Sequence, residues 1–371
     1  MDVANRSVLL SMVLLAFLFM NDPTWAADQS VLVQTQPHRV FVEREGNSQY
    51  FVFAFELSNP SDETVTLTEL RVKAYDAMGQ LLLSSKLDSN GGRPSIEVLG
   101  MRQLEPHKRV TVFNPFDQLT TPGVIAVLRY EFDLSGRGGQ STVKVEIKPV
   151  KYEQKTPLTV PVMGKHLWAY EAPGLYSHHS RVDLTDSFTR DVMKMRHNGQ
   201  RYALDLVVLD KNSEAFHGDD NVKENWVGYG CAIVAPGSGT VVSTENTQPN
   251  EMNFDESKLA DPKVMIGNFV VIDHGNGEFS AMAHFQQGSI IVKAGDRVTR
   301  GQVIAKMGRS GMGSGLIHVH YQLQDSPDLF DGEALPFRFE AVRLSGESSF
   351  KRARISSGAV FDSPPFSRSL Y

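Results

Sequence analysis

Cysteine is almost missing from this chain, with Cys231 the only one in 371 residues. No intramolecular disulfide can form, and no metal site can be built on thiolates. Positive charge is also short. The 37 Lys and Arg are outnumbered by 43 Asp and Glu, for a formal net charge of −6, and no basic stretch stands out. Such a surface has no surplus to neutralise a phosphate backbone, so nucleic acid is not an expected partner. A bilayer-length apolar run is lacking too. The longest, Val8 to Met20, has thirteen residues and no charge, below the roughly 20 that a spanning helix needs. A His-Glu-x-x-His sequence is absent as well, so a glutamate-based zinc peptidase helix is excluded.

The short apolar run follows Arg6 and precedes Thr24-Trp25-Ala26, which sets small residues where a signal peptidase reads. Residues 1–26 are expected to be a signal peptide cleaved before Ala27. With no cysteine at that junction for lipid attachment, the expected location is periplasmic or secreted. The remaining length suits two domains, and 41% hydrophobic with 22% charged residues is ordinary globular composition.

From 36 to 151 apolar and polar residues alternate in short runs, as in Gln49 to Leu57 and Thr64 to Val72. That period of two is the β period. Turn residues punctuate the runs at Asn59-Pro60, Met78-Gly79, Asn90-Gly91-Gly92 and Gly136 to Gly139. A span of about 115 residues patterned this way predicts an immunoglobulin-like β-sandwich of two sheets. Its histidines, His38 and His107, stand alone, so positioning or docking of a protein partner is its expected work.

Beyond Pro157 to Pro161 the texture changes, and nine of the eleven histidines lie there. Strands are predicted near Tyr202 to Leu209, Gly239 to Thr244, Phe269 to Asp273, Phe279 to Phe285, Val303 to Lys306 and His318 to Leu323. One helix is predicted, at Ser187 to Met195. This second domain is placed at 160–340 and is also β-rich, so the fold class is mainly β. Residues 341–371 are left as an unassigned tail beyond a closing strand at Leu335 to Phe339. The loops Asp210 to Gly230 and Glu245 to Ile266 exceed the usual connection length. Asp219-Asp220-Asn221 in the first lacks the spacing of a calcium loop and reads as a solvated face.

The sharpest chemical signal is Leu316-Ile317-His318-Val319-His320-Tyr321-Gln322-Leu323. Residues two apart in a strand share a face, so both imidazoles point one way, and paired imidazoles are metal-ligand chemistry. Ahead of this pair stand Gly267-Asn268-Phe269-Val270-Val271-Ile272-Asp273-His274-Gly275, then Met282-Ala283-His284-Phe285, Gly295-Asp296-Arg297-Val298, Gly301-Gln302-Val303-Ile304 and Gly308-Arg309-Ser310-Gly311. In this order they resemble the lysostaphin-like (LytM-type) zinc metallopeptidases, which are peptidoglycan endopeptidases. The resemblance runs from about Leu167 to Asp325.

The resemblance implies zinc held by a His, an Asp and the second His of His-x-His. That makes His320 a ligand, with His318 and His284 catalytic. The family's Asp opens a strand leading to an Ala-Pro-x-x-Gly turn, matched by Gln200 to Val207 ahead of Ala235 to Gly239, so Asp205 is the carboxylate. The common form of the family has its first His four residues before that Asp, where this chain has Arg201. Similar members carry Ser-His-His far upstream, matched by Ser177-His178-His179. His179 is therefore the expected first ligand, with His178 and His197 as alternatives. Asp183, four residues after His179, lacks the following strand and turn and is set aside. Ile317 and Phe285 stand where the family usually has Pro and Leu. His274 and His217 read as turn and loop residues. The implied substrate is peptidoglycan or another extended peptide. A non-catalytic adaptor of another wall hydrolase is the alternative function.

Overall fold

The computed structural model describes residues 31–162, 166–250, 261–312 and 315–364. The predicted signal peptide, part of the loop expected at Glu245 to Ile266, and the last residues of the expected tail lie outside the described residues. No helix among the described residues is long and apolar enough to cross a membrane.

The N-terminal part is β-rich, as its alternation predicts. Its strands are β1 (Leu32–Gln36), β2 (Phe41–Glu45), β3 (Ser48–Tyr50), β4 (Ala54–Ser58), β5 (Val65–Tyr75), β6 (Leu81–Asp88), β7 (Gln103–Leu104), β8 (Arg109–Phe113), β9 (Gln118–Thr120), β10 (Val127–Gly136), β11 (Gly139–Ile147) and β12 (Val150–Lys151). They form three hydrogen-bonded sheets where two were expected: β1-β4-β8, β12-β2-β3-β9, and β11-β10-β5-β6 with β7 beside β5. The run expected as one strand from Gln49 to Leu57 breaks at 51–53, and β3 and β4 join different sheets. Phe51, Val52 and Phe53 are all buried there, which defeats strict alternation. The break is held by Asn114, whose Nδ2 donates to the Phe51 carbonyl at 3.0 Å. Phe55, Tyr130 and Phe132 meet edge to face inside, with ring centroids 4.8 and 4.9 Å apart.

The C-terminal part is built on one ten-stranded antiparallel sheet. Its strands are β13 (Leu167–Glu171), β14 (Leu204–Val208), β15 (Ala232–Val234), β16 (Gly239–Glu245), β17 (Phe269–Asp273), β18 (Phe279–Ala283), β19 (Arg297–Val298), β20 (Val303–Lys306), β21 (Val319–Gln324), β22 (Phe339–Leu344), β23 (Lys351–Ala353) and β24 (Val360–Asp362). The large sheet runs β19-β16-β17-β18-β21-β14-β13-β24-β22-β23, and β15 pairs with β20 apart from it. The predicted tail is thus part of the sheet. β24 adds to the side of β13, pairing Leu167 with Phe361, and so covers what would be an open edge. The predicted helix at Ser187 to Met195 is only a π-helical turn, Phe188–Val192. A short α-helix, Pro262–Ile266, lies inside the loop expected before Gly267.

The central strands divide their faces cleanly. Val319, Tyr321 and Leu323 of β21 enter the main core with Leu204, Leu206 and Val208 of β14. Each fully buried aliphatic or aromatic chain of this kind is worth about 1.5–3 kcal/mol. The alternate residues face the other way and form the site. The two parts of the chain also pack together, since Phe41 and Val52 belong to the C-terminal core cluster.

Candidate metal centre

Register alone brings two of the expected residues side by side and sets a third, His284, one residue beyond the next pairing. Asp205 on β14 pairs with His320 on β21, and His320 pairs on its other side with Ala283 of β18. His284 follows Ala283 with φ +68°, an unusual conformation for a residue with a Cβ. His318 sits just before β21 on the same face. His179 arrives from the long loop after β13. His179, Asp205, His284, His318 and His320 are all buried, Asp205 being 1% exposed.

Asp205 Oδ1 is the point of convergence. It lies 3.0 Å from His179 Nε2, 3.1 Å from His320 Nδ1 and 3.6 Å from His318 Nε2. The imidazoles of His284 and His318 have centroids 4.7 Å apart, and those of His179 and His320 are 4.6 Å apart.

Hydrogen bonds on the far sides of the rings decide which nitrogens face inward bare. Gln324 Nε2 donates to the carbonyls of Ser326 and Asp328, so its Oε1 receives Gln322 Nε2. Gln322 Oε1 is thereby turned to His320 Nε2, 2.8 Å away. That nitrogen must carry the proton, and Nδ1 presents a lone pair to Asp205. His179 Nδ1 is 3.0 Å from Gln200 Oε1 and donates to it, which leaves Nε2 bare. This Nε2 is buried and, though 3.0 Å from Asp205 Oδ1, is not directed for a hydrogen bond. Two lone pairs and a carboxylate oxygen around one point repel unless a cation lies among them. The donor set, two imidazole nitrogens and one carboxylate, is what zinc takes in catalytic sites that keep a position open. These residues fit the ion.

The other two imidazoles are oriented by backbone. His284 Nδ1 donates to the Ser310 carbonyl at 2.9 Å, and His318 Nδ1 to the Leu316 carbonyl at 3.1 Å. Their Nε2 atoms are therefore also bare. Burial, then the neighbouring His318 and His320, push the His284 pKa down to about 3. Burial lowers His318 and His179 as well. Burial opposes charge on Asp205, and positive charge on His179 and His318 outweighs it and holds the carboxyl well below its usual range, the compensation a cation among neutral rings would supply.

The remaining expectations sort by distance. The candidate ligand atoms of His178, His179 and Asp205 lie within 4.8 Å of one another, so proximity alone admits His178 beside His320. His178 is half exposed, and its Nδ1 lies 3.1 Å from Glu171 Oε1. His320 is buried with a bare nitrogen on the carboxylate and is the better fit. His197 is away from the site, exposed beside Asp331 at 3.2 Å. Asp183 Oδ1 accepts from Thr111 Oγ1 and from Thr185. Arg201 lies beside Glu333, its Nε 3.4 Å from the carboxylate. His274 is a turn residue donating to the Ser238 carbonyl.

Gln322, Gln200 and Ser310 are contributors that the sequence reading did not select. The period-two series His318, His320, Gln322, Gln324 was the available signal for the first of them. Gln322→Leu removes the acceptor that fixes the His320 tautomer. It is expected to weaken zinc binding by roughly 10–100-fold, and competition with a chelator of known affinity measures this.

The site opens into a groove of about 350 Å³ that Met193, Met195, Met265 and Met312 help to line. Residues 226–332 match the model of peptidase family M23, a stretch that holds His284, His318 and His320 but not His179 or Asp205. Over 94 residues the chain is 34% identical to the peptidoglycan DD-endopeptidase ShyA of Vibrio cholerae, which is 25% of this chain and 17% of that protein. Among solved structures, similarity extends to the M23 metalloprotease pseudoalterin from the deep sea, with 12% identity, 58% of this chain and 100% of that chain covered, and a TM-score of 0.29. It also extends to the catalytic domain of a mutant of the prophage-encoded M23 protein EnpA from Enterococcus faecalis, with 18% identity, coverage of 50% and 91%, and a TM-score of 0.25. The lysostaphin-like resemblance read over about Leu167 to Asp325 is accordingly matched, at residues 226–332, by a peptidase family M23 domain.

Proposed function

We propose that this protein is an exported zinc metallopeptidase that hydrolyses amide bonds in the stem or cross-bridge peptides of peptidoglycan. The observation that carries the reading is the pair of buried imidazoles, His179 and His320, each with a bare nitrogen about the same oxygen of Asp205. The peptide substrate is supported by the family match and by the ShyA similarity. Export is supported by the apolar run and small-residue site of residues 1–26.

His179, Asp205 and His320 would hold the ion. Zinc bound there would polarise the scissile carbonyl and bring the pKa of water toward about 7. His318 Nε2, nearest to Asp205 of the two remaining imidazoles, accepts the proton of the attacking water. As the C–O bond forms and the C–N bond breaks, it returns that proton to the leaving amine. His284, also implied to be catalytic, is not set up to donate to an oxyanion. Its proton is on Nδ1, directed at the Ser310 carbonyl, and its low basicity works against gaining a second. It acts instead as an acceptor that orients the water beside His318.

The test is the zinc content of the purified mature protein and of His320→Ala, followed by muropeptide analysis of sacculi incubated with each. One zinc per chain with new muropeptides is the expected result for the wild type, and neither for the variant. A zinc-free wild type that releases no peptide would replace the enzyme with an adaptor.

A further inference from the structure

We propose that the N-terminal β-rich part is a positioning clamp for the loop that carries His179, acting through Asp117 and Thr111. The proposal rests on His179 as a ligand. No strand or helix is formed between the end of β13 at Glu171 and the turn that starts at Phe188. A connection of that length does not hold one conformation unless it is fastened along its course.

The fasteners bracket His179. Four residues before it, Leu175 N donates to Asp117 Oδ2 at 2.8 Å. Four residues after it, Asp183 Oδ1 accepts from Thr111 Oγ1 at 2.6 Å. Between them, the Arg181 guanidinium lies over the Phe113 ring, 4.8 Å from its centroid. Thr111 and Phe113 are on β8, an outer strand of its sheet, and Asp117 is in the turn leading to β9. A further tie runs through Arg354, which donates to the Pro173 carbonyl at 2.8 Å and stacks on Tyr50 at 3.9 Å. The C-terminal part holds the histidine itself, through Gln200 on Nδ1 and through Asn198 Nδ2 on the His179 carbonyl. Aim therefore comes from the C-terminal part, while loop placement is shared between the N-terminal fasteners and C-terminal ties, Arg354 on Pro173 and Ser180 Oγ on the Arg201 carbonyl. Asp183, chemically idle at the metal, gains a role as the anchor on Thr111.

The test uses the full mature chain without metal. Thr111→Val and Asp117→Ala remove one fastener each. Thr111→Ser and Asp117→Asn keep a hydroxyl and an acceptor. Zinc affinity is read by chelator competition, and amide exchange by mass spectrometry over 172–186, with β14 as the internal reference. The first two variants are expected to bind zinc about tenfold more weakly and to exchange faster over 172–186 only. The conservative pair should stay close to wild type. Wild-type affinity and wild-type exchange in Thr111→Val and Asp117→Ala overturn the clamp while leaving the peptidase reading intact. If the wild type takes up no zinc, the peptidase reading fails. The clamp is then decided by exchange: faster exchange confined to 172–186 sustains it as a clamp on the loop, and unchanged exchange ends it. A variant that loses the β14 protection as well has lost the fold, and Thr111→Val, the milder change, then decides.

Discussion

Asp205→Ala is expected to emerge from purification without stoichiometric zinc and to release no muropeptides, while keeping its fold. Among the described residues, this carboxylate is the anionic group that lies beside His179, His318 and His320. Without it, buried neutral nitrogens remain and no negative charge offsets a divalent cation. A loss beyond about 100-fold in zinc affinity is expected, since removing merely an outer partner costs 10–100-fold. The fold should persist because β14 keeps its backbone pairing to β13 and β21 and its core residues Leu204, Leu206 and Val208. His318→Ala separates binding from chemistry. It should keep its zinc and lose rate by roughly 10²–10⁴-fold, the worth of a placed proton acceptor. Metal analysis of both proteins, beside the melting temperature in chelator, distinguishes the cases. Zinc at one per chain in Asp205→Ala would remove this carboxylate from the ligand set.

Much of this centre was legible because strand periodicity is short-range and strict. His318, His320 and their shared face follow from a period of two, and β17 and β20 coincide with the runs Phe269 to Asp273 and Val303 to Lys306. What could not be read depends on contacts distant in sequence. β13 is five residues with a single buried pair, Leu167 and Ala169, and it becomes a strand by lying between β14 and β24. β24 is three residues long and carries no pattern of its own. The helix expected at Ser187 to Met195 has too few turns to offset nucleation, and Met193 and Met195 are buried beside the groove rather than on a helix face. The distance from His179 to Asp205 is the deepest case. Twenty-six positions separate them, and the 3.0 Å approach depends on contacts that no local pattern announces: Gln200 and Asn198 on the histidine itself, and Thr111 and Asp117 along its loop.

Gly267→Ala is expected to be the most damaging single change to the fold of the site. Gly267 has φ +71°, and a Cβ there would stand 2.4 Å from the backbone of Ser310. Gly311, at φ +79°, faces it from the loop between β20 and β21, where its own Cβ would meet Gly267 N at 2.5 Å. Neither contact can be relieved by turning a side chain, because both partners are main chain. Left-handed strain of about 1–2 kcal/mol adds to overpacking of about 1–3 kcal/mol, for a total of roughly 2–5 kcal/mol. The melting temperature should fall by roughly 10 °C on that scale. The displaced segment is the one that orients His284, through the Ser310 carbonyl, and that closes on Asn268, whose N–H donates to Ser310 Oγ at 2.8 Å. Zinc binding should survive better than hydrolysis, because Asp205 and His320 rest on β14 and β21 and His179 on the loop after β13. A Gly267→Ala protein that melts and hydrolyses like the wild type would mean that this backbone crossing is looser than described, and that His284 is not held by it.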